Sequence, residues 1–317
     1  MSTTRPGGAG GLARSRYPLV RRIWRARVWY LFVFPPFALL ALFVLYPTFM
    51  TFRQSLFAGR GRSEEFVGLA QFEALSVNPV FWQALGNTVL LAVCFLAIIL
   101  PLSVILASML NRVRRGSTPL KVIYFLPQLT SAVAVAIIFN YIFQPDWGLL
   151  NGALRALGVE DPPLWLSDPR HGPFGSRGAV TILAVWTGLG YFILIVLAGL
   201  QSISPEIYEA AAIDGAGPLR TWWSITLPNL RPTFIFLLIT GTLDAMARFS
   251  DLWTLGGPGG APARALQTIV MYMYQTAFES GNVHRAAAVG VIFFLLMLCV
   301  TLISYRGLLS REFRRAR

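Results

Sequence analysis

Six stretches of this chain stay apolar for long enough to cross a lipid bilayer, and no other feature limits the fold so strongly. They run over about 28–52, 85–110, 122–143, 179–200, 232–253 and 286–305. A hydrocarbon core about 30 Å thick needs roughly 20 apolar residues of helix to span it. Lipid gives open backbone groups no partner, and the stretches lack the alternation of a barrel strand, so they are read as helices. The fold class is therefore all-α integral membrane, with six transmembrane helices. Composition agrees: 13% of the residues are charged, where about a quarter is usual in soluble domains.

The chain carries a net charge of +13, and 26 of its 27 basic residues are arginine. A basic balance can signal nucleic-acid binding. Here the arginines cluster at the ends of apolar stretches, which makes them topology signals instead. Eighteen basic residues fall on one side: seven before the first span, four between the second and third, two between the fourth and fifth, and five after the sixth. Eight fall on the other side, and Arg248 lies within the fifth span. The positive-inside rule then places both termini in the cytoplasm. The apolar run 28–52 is longer than a signal peptide's roughly 7–15 residues and has no small-residue cleavage site after it, so it is read as a retained span. Residues 1–22 are Gly-, Arg- and Ser-rich and are expected to be disordered.

Cys94 and Cys299 fall inside apolar runs and are read as buried apolar residues. His171 and His284 stand far apart, and no His, Cys, Asp or Glu cluster has metal-ligand spacing. No nucleophile–base arrangement supports a membrane enzyme.

A polar island, 208–228, interrupts the apolar pattern on the arginine-rich side. Ser204 is expected to cap a helix, with Pro205 in its first position. Glu206 and Glu209 suit the positive end of that helix, and Ala210, Ala211 and Ala212 favour it. Gly215 is expected to end it in a left-handed conformation, with the Asp214 side chain holding the turn. Pro218 then starts a second short helix and Pro228 stops it. Small side chains would let another protein approach the first helix closely.

Glu209-Ala210-Ala211, Asp214-Gly215-Ala216 and Ile225-x-Leu227-Pro228 together resemble the coupling loop of type I ABC importer permeases for carbohydrates, of the maltose or glycerol-phosphate first-subunit kind. The resemblance covers about 28–306. It extends to Ala84-Leu85-x-Asn87-Thr88, Phe125-Leu126-Pro127, Phe143-x-Pro145 through Asn151, Leu197 to Gln201, Asp251, Gly256-Gly257-Pro258 and Tyr274. It departs from the family pattern at Val283-His284-Arg285-Ala286 and at the charged Asp244 and Arg248.

The resemblance implies a division into a cytoplasmic tail 1–27, a first transmembrane helix 28–52, an external loop 53–84, a transmembrane core 85–306 holding the coupling loop 202–231, and a tail 307–317. It implies residence in a bacterial inner membrane. Implied partners are a second, homologous permease subunit, two ATP-binding subunits and an extracytoplasmic solute-binding protein, besides membrane lipid and without nucleic acid. ATP and Mg would sit on the ATPase subunits, with no cofactor in this chain and no catalysis of its own. The chain's one lysine, Lys121, is not preceded by glycine, so it lacks the GK[ST] of a P-loop. Coupling residues carried over are Glu209, Ala210, Ala211, Asp214, Gly215, Ala216, Leu227 and Pro228. The implied cargo is a sugar or oligosaccharide, with glycerol phosphate or a polyol as the alternative. An ion-coupled secondary carrier is the reading of another class, but no inverted repeat with broken helices is visible.

Asp244, Arg248 and Asp251 are spaced i, i+4 and i+7, so they share a face of the fifth span. Ionisable groups within spans face a polar path or pair with each other. Two readings stay open: a strip that touches the solute, or an Asp244–Arg248 pair that only joins helices, with Asp251 at the outer surface. Tyr191 and Gly188, with Gly190, form a second candidate in the fourth span, open to sugar stacking or to helix packing.

Overall fold

The computed structural model describes residues 27–59, 64–113, 117–167 and 175–312. The expected disordered stretch 1–22, most of both basic tails, and Arg114, Arg115 and His171 lie outside them. The chain forms two compact units, Met1–Thr51 and Phe52–Arg317. In the first, Arg27–Leu40 and the following helix are apolar all round, with Leu31, Phe32, Phe37 and Phe43 exposed, as a lipid-facing span requires.

Among the described residues four helices are long and apolar enough to cross a membrane: α1 (Tyr30–Gln54), α3 (Pro79–Asn111), α7 (Ser176–Gln201) and α14 (Val283–Arg306 within Val283–Glu312). A short helix, α2 (Ala70–Ser76), precedes α3, whose N-terminus is capped by Asn78 Oδ1 accepting from Val80 N and Phe81 N at 2.9 and 3.2 Å. The third and fifth expected spans are not single helices. Each is a broken pair: α4 with α5 (Thr118–Leu129 and Ala132–Ile142), bent by 97°, and α11 with α12 (Arg231–Met246 and Ser250–Gly256), bent by 43°. Counting each pair as one span recovers six.

The breaks have local causes. Pro127 removes a donor from α4, Thr130 N closes the helix three residues back on Pro127 O, and Ser131 is extended at ψ 129°. At the other break Phe249 leaves helical geometry at φ −138°, and Asp251 enters the first turn of α12, where the helix dipole favours a carboxylate. Two further prolines are absorbed without a break. Tyr46 N reaches Ala41 O and Leu227 N reaches Trp222 O, five residues back, just before Pro47 and Pro228. The widened turn clears the carbonyl that the proline ring would strike in an α-helix.

The core of the larger unit lies where α3, α7 and α11 meet, around Phe95, Ile99, Ile193 and Leu237. Phe95 and Phe192 pack edge to face with centroids 5.7 Å apart. A Cβ at Gly190 would overlap the Tyr124 carbonyl and lie 2.7 Å from Phe125 Cα, so α4 and α7 touch backbone to backbone there. A second cluster, with Leu75, Phe81, Ile269 and Val289, seats α13 (Ile269–Tyr274), a helix extended by a π turn through Glu279. Sequence reading missed this element, because its apolar run is too short to separate from a loop.

Two polar anchors tie loops to the spans. Asn87 Nδ2 donates to Arg264 O and Gln267 O at 2.8 and 3.0 Å, Arg177 Nη2 donates to Asn87 Oδ1 at 2.6 Å, and Ile269 N donates to Thr88 Oγ1 at 2.8 Å. Asn151, at the start of α6 (Leu149–Ala156), is buried; it donates to Pro145 O and Pro163 O and accepts from Trp165 Nε1 at 2.6 Å. Trp165 is thereby buried, not at the headgroup surface its type suggests, whereas Trp147 is exposed. The cysteines also depart from expectation: Cys94 is half-buried and Cys299 exposed, both free thiols.

Candidate functional site

The polar island folds into two short helical segments. The first, α8 (Pro205–Ile213), has Pro205 in its first turn as expected. Ser204 occupies the N-cap position, but its side chain makes no capping bond. The turn after α8 is held by backbone groups, not by the Asp214 side chain. Gly215 sits at φ +70°, its N–H donates to Ala212 O at 3.1 Å, and Ala216 N donates to Ala211 O at 2.9 Å. That pair of bonds is a Schellman motif, and it needs glycine at its left-handed position. It also explains one of the alanines: Ala211, the one buried member of α8, lies at the point where the chain turns back.

The second segment runs through α9 (Pro218–Thr221), a π turn Trp222–Thr226 and α10 (Leu227–Asn229). Pro228 does not stop it, since the π turn carries the helix past the proline. Tyr208 Oη and Thr226 Oγ1 lie 3.2 Å apart and join the two segments. The hairpin is stiff, yet its outer surface has no cover: Ile213 is 87% and Leu219 73% exposed, with Trp223, Glu209, Ala210 and Asp214 also exposed.

A second candidate region forms at the two span breaks. Pro127, Gln128, Thr130 and Ala132 of the α4–α5 break, Leu183 and Thr187 of α7, and Asp244 with Ala247 to Asp251 of the α11–α12 break line an open cavity of about 260 Å³. The structure thus brings Asp244, Arg248 and Asp251 together at one wall. Their pairing differs from the Asp244–Arg248 pair that one of the two readings offered. Arg248 forms its ion pair with Asp251, and Asp251 is buried, only 4% exposed, instead of lying at the outer surface. Asp244 is exposed to the cavity and makes no hydrogen bond or ion pair among the described residues. A charge left open inside a span needs a polar path beside it.

Tyr191 and Gly188 lie elsewhere. Tyr191 packs against Phe192 at 5.8 Å, and Gly188 faces Ile99 and Phe95, in the contact between α7 and α3. Sequence reading missed Gln128, Thr130 and Thr187 as lining groups. The signal for the first two was present: a Pro-Gln-Leu-Thr-Ser run breaks an otherwise apolar span.

The comparisons with known proteins agree on one family. Residues 99–315 match the family model of the binding-protein-dependent transport system inner membrane component. The lactose transport system permease protein LacF of Rhizobium radiobacter is 33% identical over 92% of this chain and 97% of its own length. The arabinooligosaccharides transport system permease protein AraP of Bacillus subtilis is 33% identical over 90% and 89%. The sn-glycerol-3-phosphate transport system permease protein UgpA of Yersinia pestis is 32% identical over 87% and 92%. A solved bacterial ABC transporter for import of the acidic polysaccharide alginate shares the fold, with a TM-score of 0.79 and 24% identity over 93% of this chain and 99% of that one. The chain belongs to the binding-protein-dependent transport system inner membrane component family, as a multi-pass permease subunit of an ABC importer.

Proposed function

We propose that this permease subunit forms half of a translocation path for a sugar or oligosaccharide and takes its driving force from a separate ATPase through the hairpin 205–229. The observation that carries the coupling role is the hairpin itself: a backbone-locked turn that presents Ile213, Leu219 and Trp223 uncovered on the arginine-rich side. A contact that transmits force needs a rigid element with a bare surface for its partner. In this reading two ATP-binding subunits hold ATP and Mg, and each takes one hairpin. A second, homologous permease supplies the other half of the path, and both termini are cytoplasmic. Residues 85–306 form the transmembrane core. An extracytoplasmic binding protein delivers the solute. A related alginate importer of 24% identity has been solved with its alginate pentasaccharide-bound periplasmic protein, which supports that arrangement.

The charge of the cavity supports a neutral carbohydrate over glycerol phosphate. The guanidinium of Arg248 is taken up by Asp251, and the remaining charged group, Asp244, is acidic. Among the described residues lining this cavity the one basic group is Arg248, which faces a carboxylate on Asp251. The named cargoes of the relatives include neutral ones, lactose and arabinooligosaccharides, and an anionic one, sn-glycerol-3-phosphate. The test is competition for uptake in proteoliposomes containing the assembled transporter and its binding protein. Neutral oligosaccharides are expected to compete and sn-glycerol-3-phosphate is not. Uptake of the phosphate ester as the preferred cargo would overturn the sugar assignment.

A further inference from the structure

A second cavity, of about 420 Å³, lies at the opposite end of the spans from the hairpin and is not used by the mechanism above. It is framed by the start of α3 at Asn78, by the loop at Arg264 and Gln267, by α13 and its π turn, and by the start of α14 at Arg285. Its uncharged polar groups largely satisfy one another. Asn78 Nδ2 donates to the Tyr272 hydroxyl at 3.2 Å, Gln267 bonds Gln275 side chain to side chain, and Gln275 Nε2 donates to Pro258 O at 2.6 Å. Asn282 Oδ1 accepts from Arg285 N at 3.0 Å.

Besides Gln267 Oε1, which is buried without a partner among the described residues, the charged side chains are what remains. Arg264, Arg285 and Glu279 make no ion pair or side-chain hydrogen bond among the described residues, and Arg285 Nε is buried without a partner. Two guanidinium groups against one carboxylate leave the cavity one positive charge in excess. A buried guanidinium nitrogen without a partner is costly, so such a site favours an incoming acceptor. The position of Arg264 is also held in advance. It lies at φ +61°, where a non-glycine residue is strained, and its carbonyl is gripped by Asn87 Nδ2 at 2.8 Å. Strain of that kind gathers where a side chain must be presented in one direction.

We infer that this cavity is the docking socket for an acidic side chain of the solute-binding protein, held by Arg264 and Arg285. The inference rests on the importer reading, which puts the binding protein on this side of the membrane. Planar guanidinium groups suit a carboxylate better than a hydroxyl-rich solute, because they can hold both its oxygens. The socket is separate from the cavity at the span breaks, so docking and passage can be changed independently.

The test is ATP hydrolysis by the assembled transporter in nanodiscs, titrated with its solute-loaded binding protein. Stimulation of the unsubstituted assembly establishes the importer reading on its own; its absence counts against that reading and not against the socket. The variant R264E/R285E is expected to raise the half-saturating concentration of binding protein about tenfold or more at low salt, a rise that shrinks at high salt, with basal hydrolysis unchanged. R264Q/R285Q is the milder variant, expected to shift the same value in the same direction, should charge reversal impair assembly. Reversing an acidic residue of the binding protein to lysine is expected to restore affinity for R264E/R285E. A half-saturating concentration within twofold of the unsubstituted value in both variants overturns the inference. So does lost uptake with unchanged half-saturation, which would assign the cavity to the solute's route.

Discussion

Replacing Gly215 with proline is expected to abolish ATP-driven solute uptake while leaving the chain in the membrane. The native φ of +70° is closed to proline, whose ring fixes φ near −65°. The substitution also removes the N–H that donates to Ala212 O at 3.1 Å, one of the two bonds that lock the turn. Together these amount to about 3 kcal/mol or more of local destabilisation. The hairpin is exposed and outside the spans, so the loss falls on its geometry and not on the core. Basal ATP hydrolysis by the partner subunits is expected to persist, and its stimulation by solute and binding protein to disappear. Deleting 209–215 gives the same outcome more severely. The check is uptake and ATP hydrolysis measured on one preparation, with membrane yield as the control. Unimpaired uptake by a well-expressed deletion variant would remove the coupling role.

The second large effect separates two acidic residues that sequence spacing treats alike. Asp244→Asn is expected to lower uptake about tenfold or more, the size of a lost hydrogen bond to a charged group, with assembly intact. The residue faces the cavity and makes no hydrogen bond or ion pair among the described residues. Arg248→Ala is expected to act on stability instead. It strands the Asp251 carboxylate, whose side chain is 6% exposed, and an unpaired buried charge costs about 3–5 kcal/mol. Arg248→Ala with Asp251→Asn removes the stranded charge and recovers much of the folded yield. Size-exclusion profiles of the solubilised complex report assembly, and initial uptake rates report passage. Full transport by Asp244→Asn would make that residue a bystander.

Much of this arrangement was legible in the residue order. Spans one, two, four and six follow from uninterrupted apolar runs, since lipid leaves a helix as the only outcome. Pro205, the alanines and Gly215 announced the hairpin, because each acts through its own backbone preference. What stayed hidden depends on groups brought together by folding. The Asp214 side chain was the obvious lock for the turn, but two backbone N–H groups do that work. Pro228 looked like a terminator, and only the π turn before it shows how the helix continues. One of the two open readings put Asp251 at the surface, from its position near a span end; the structure buries it, paired with Arg248 across the α11–α12 break. The depth of the breaks themselves is not encoded by Pro127 or Ser131 alone. It follows from α4 lying against Gly190 while α5 packs instead with Phe143, Trp165 and Leu183.

This chain is expected to transport only as part of an ATP-driven assembly. The most direct test is uptake into proteoliposomes of the purified chain with its co-purifying subunits, comparing ATP inside the vesicles against an imposed proton or sodium gradient. A co-purifying ATPase is expected, with uptake that requires ATP and the binding protein and ignores the ion gradient. Uptake by this chain alone, driven by protons or sodium without ATP, would contradict it.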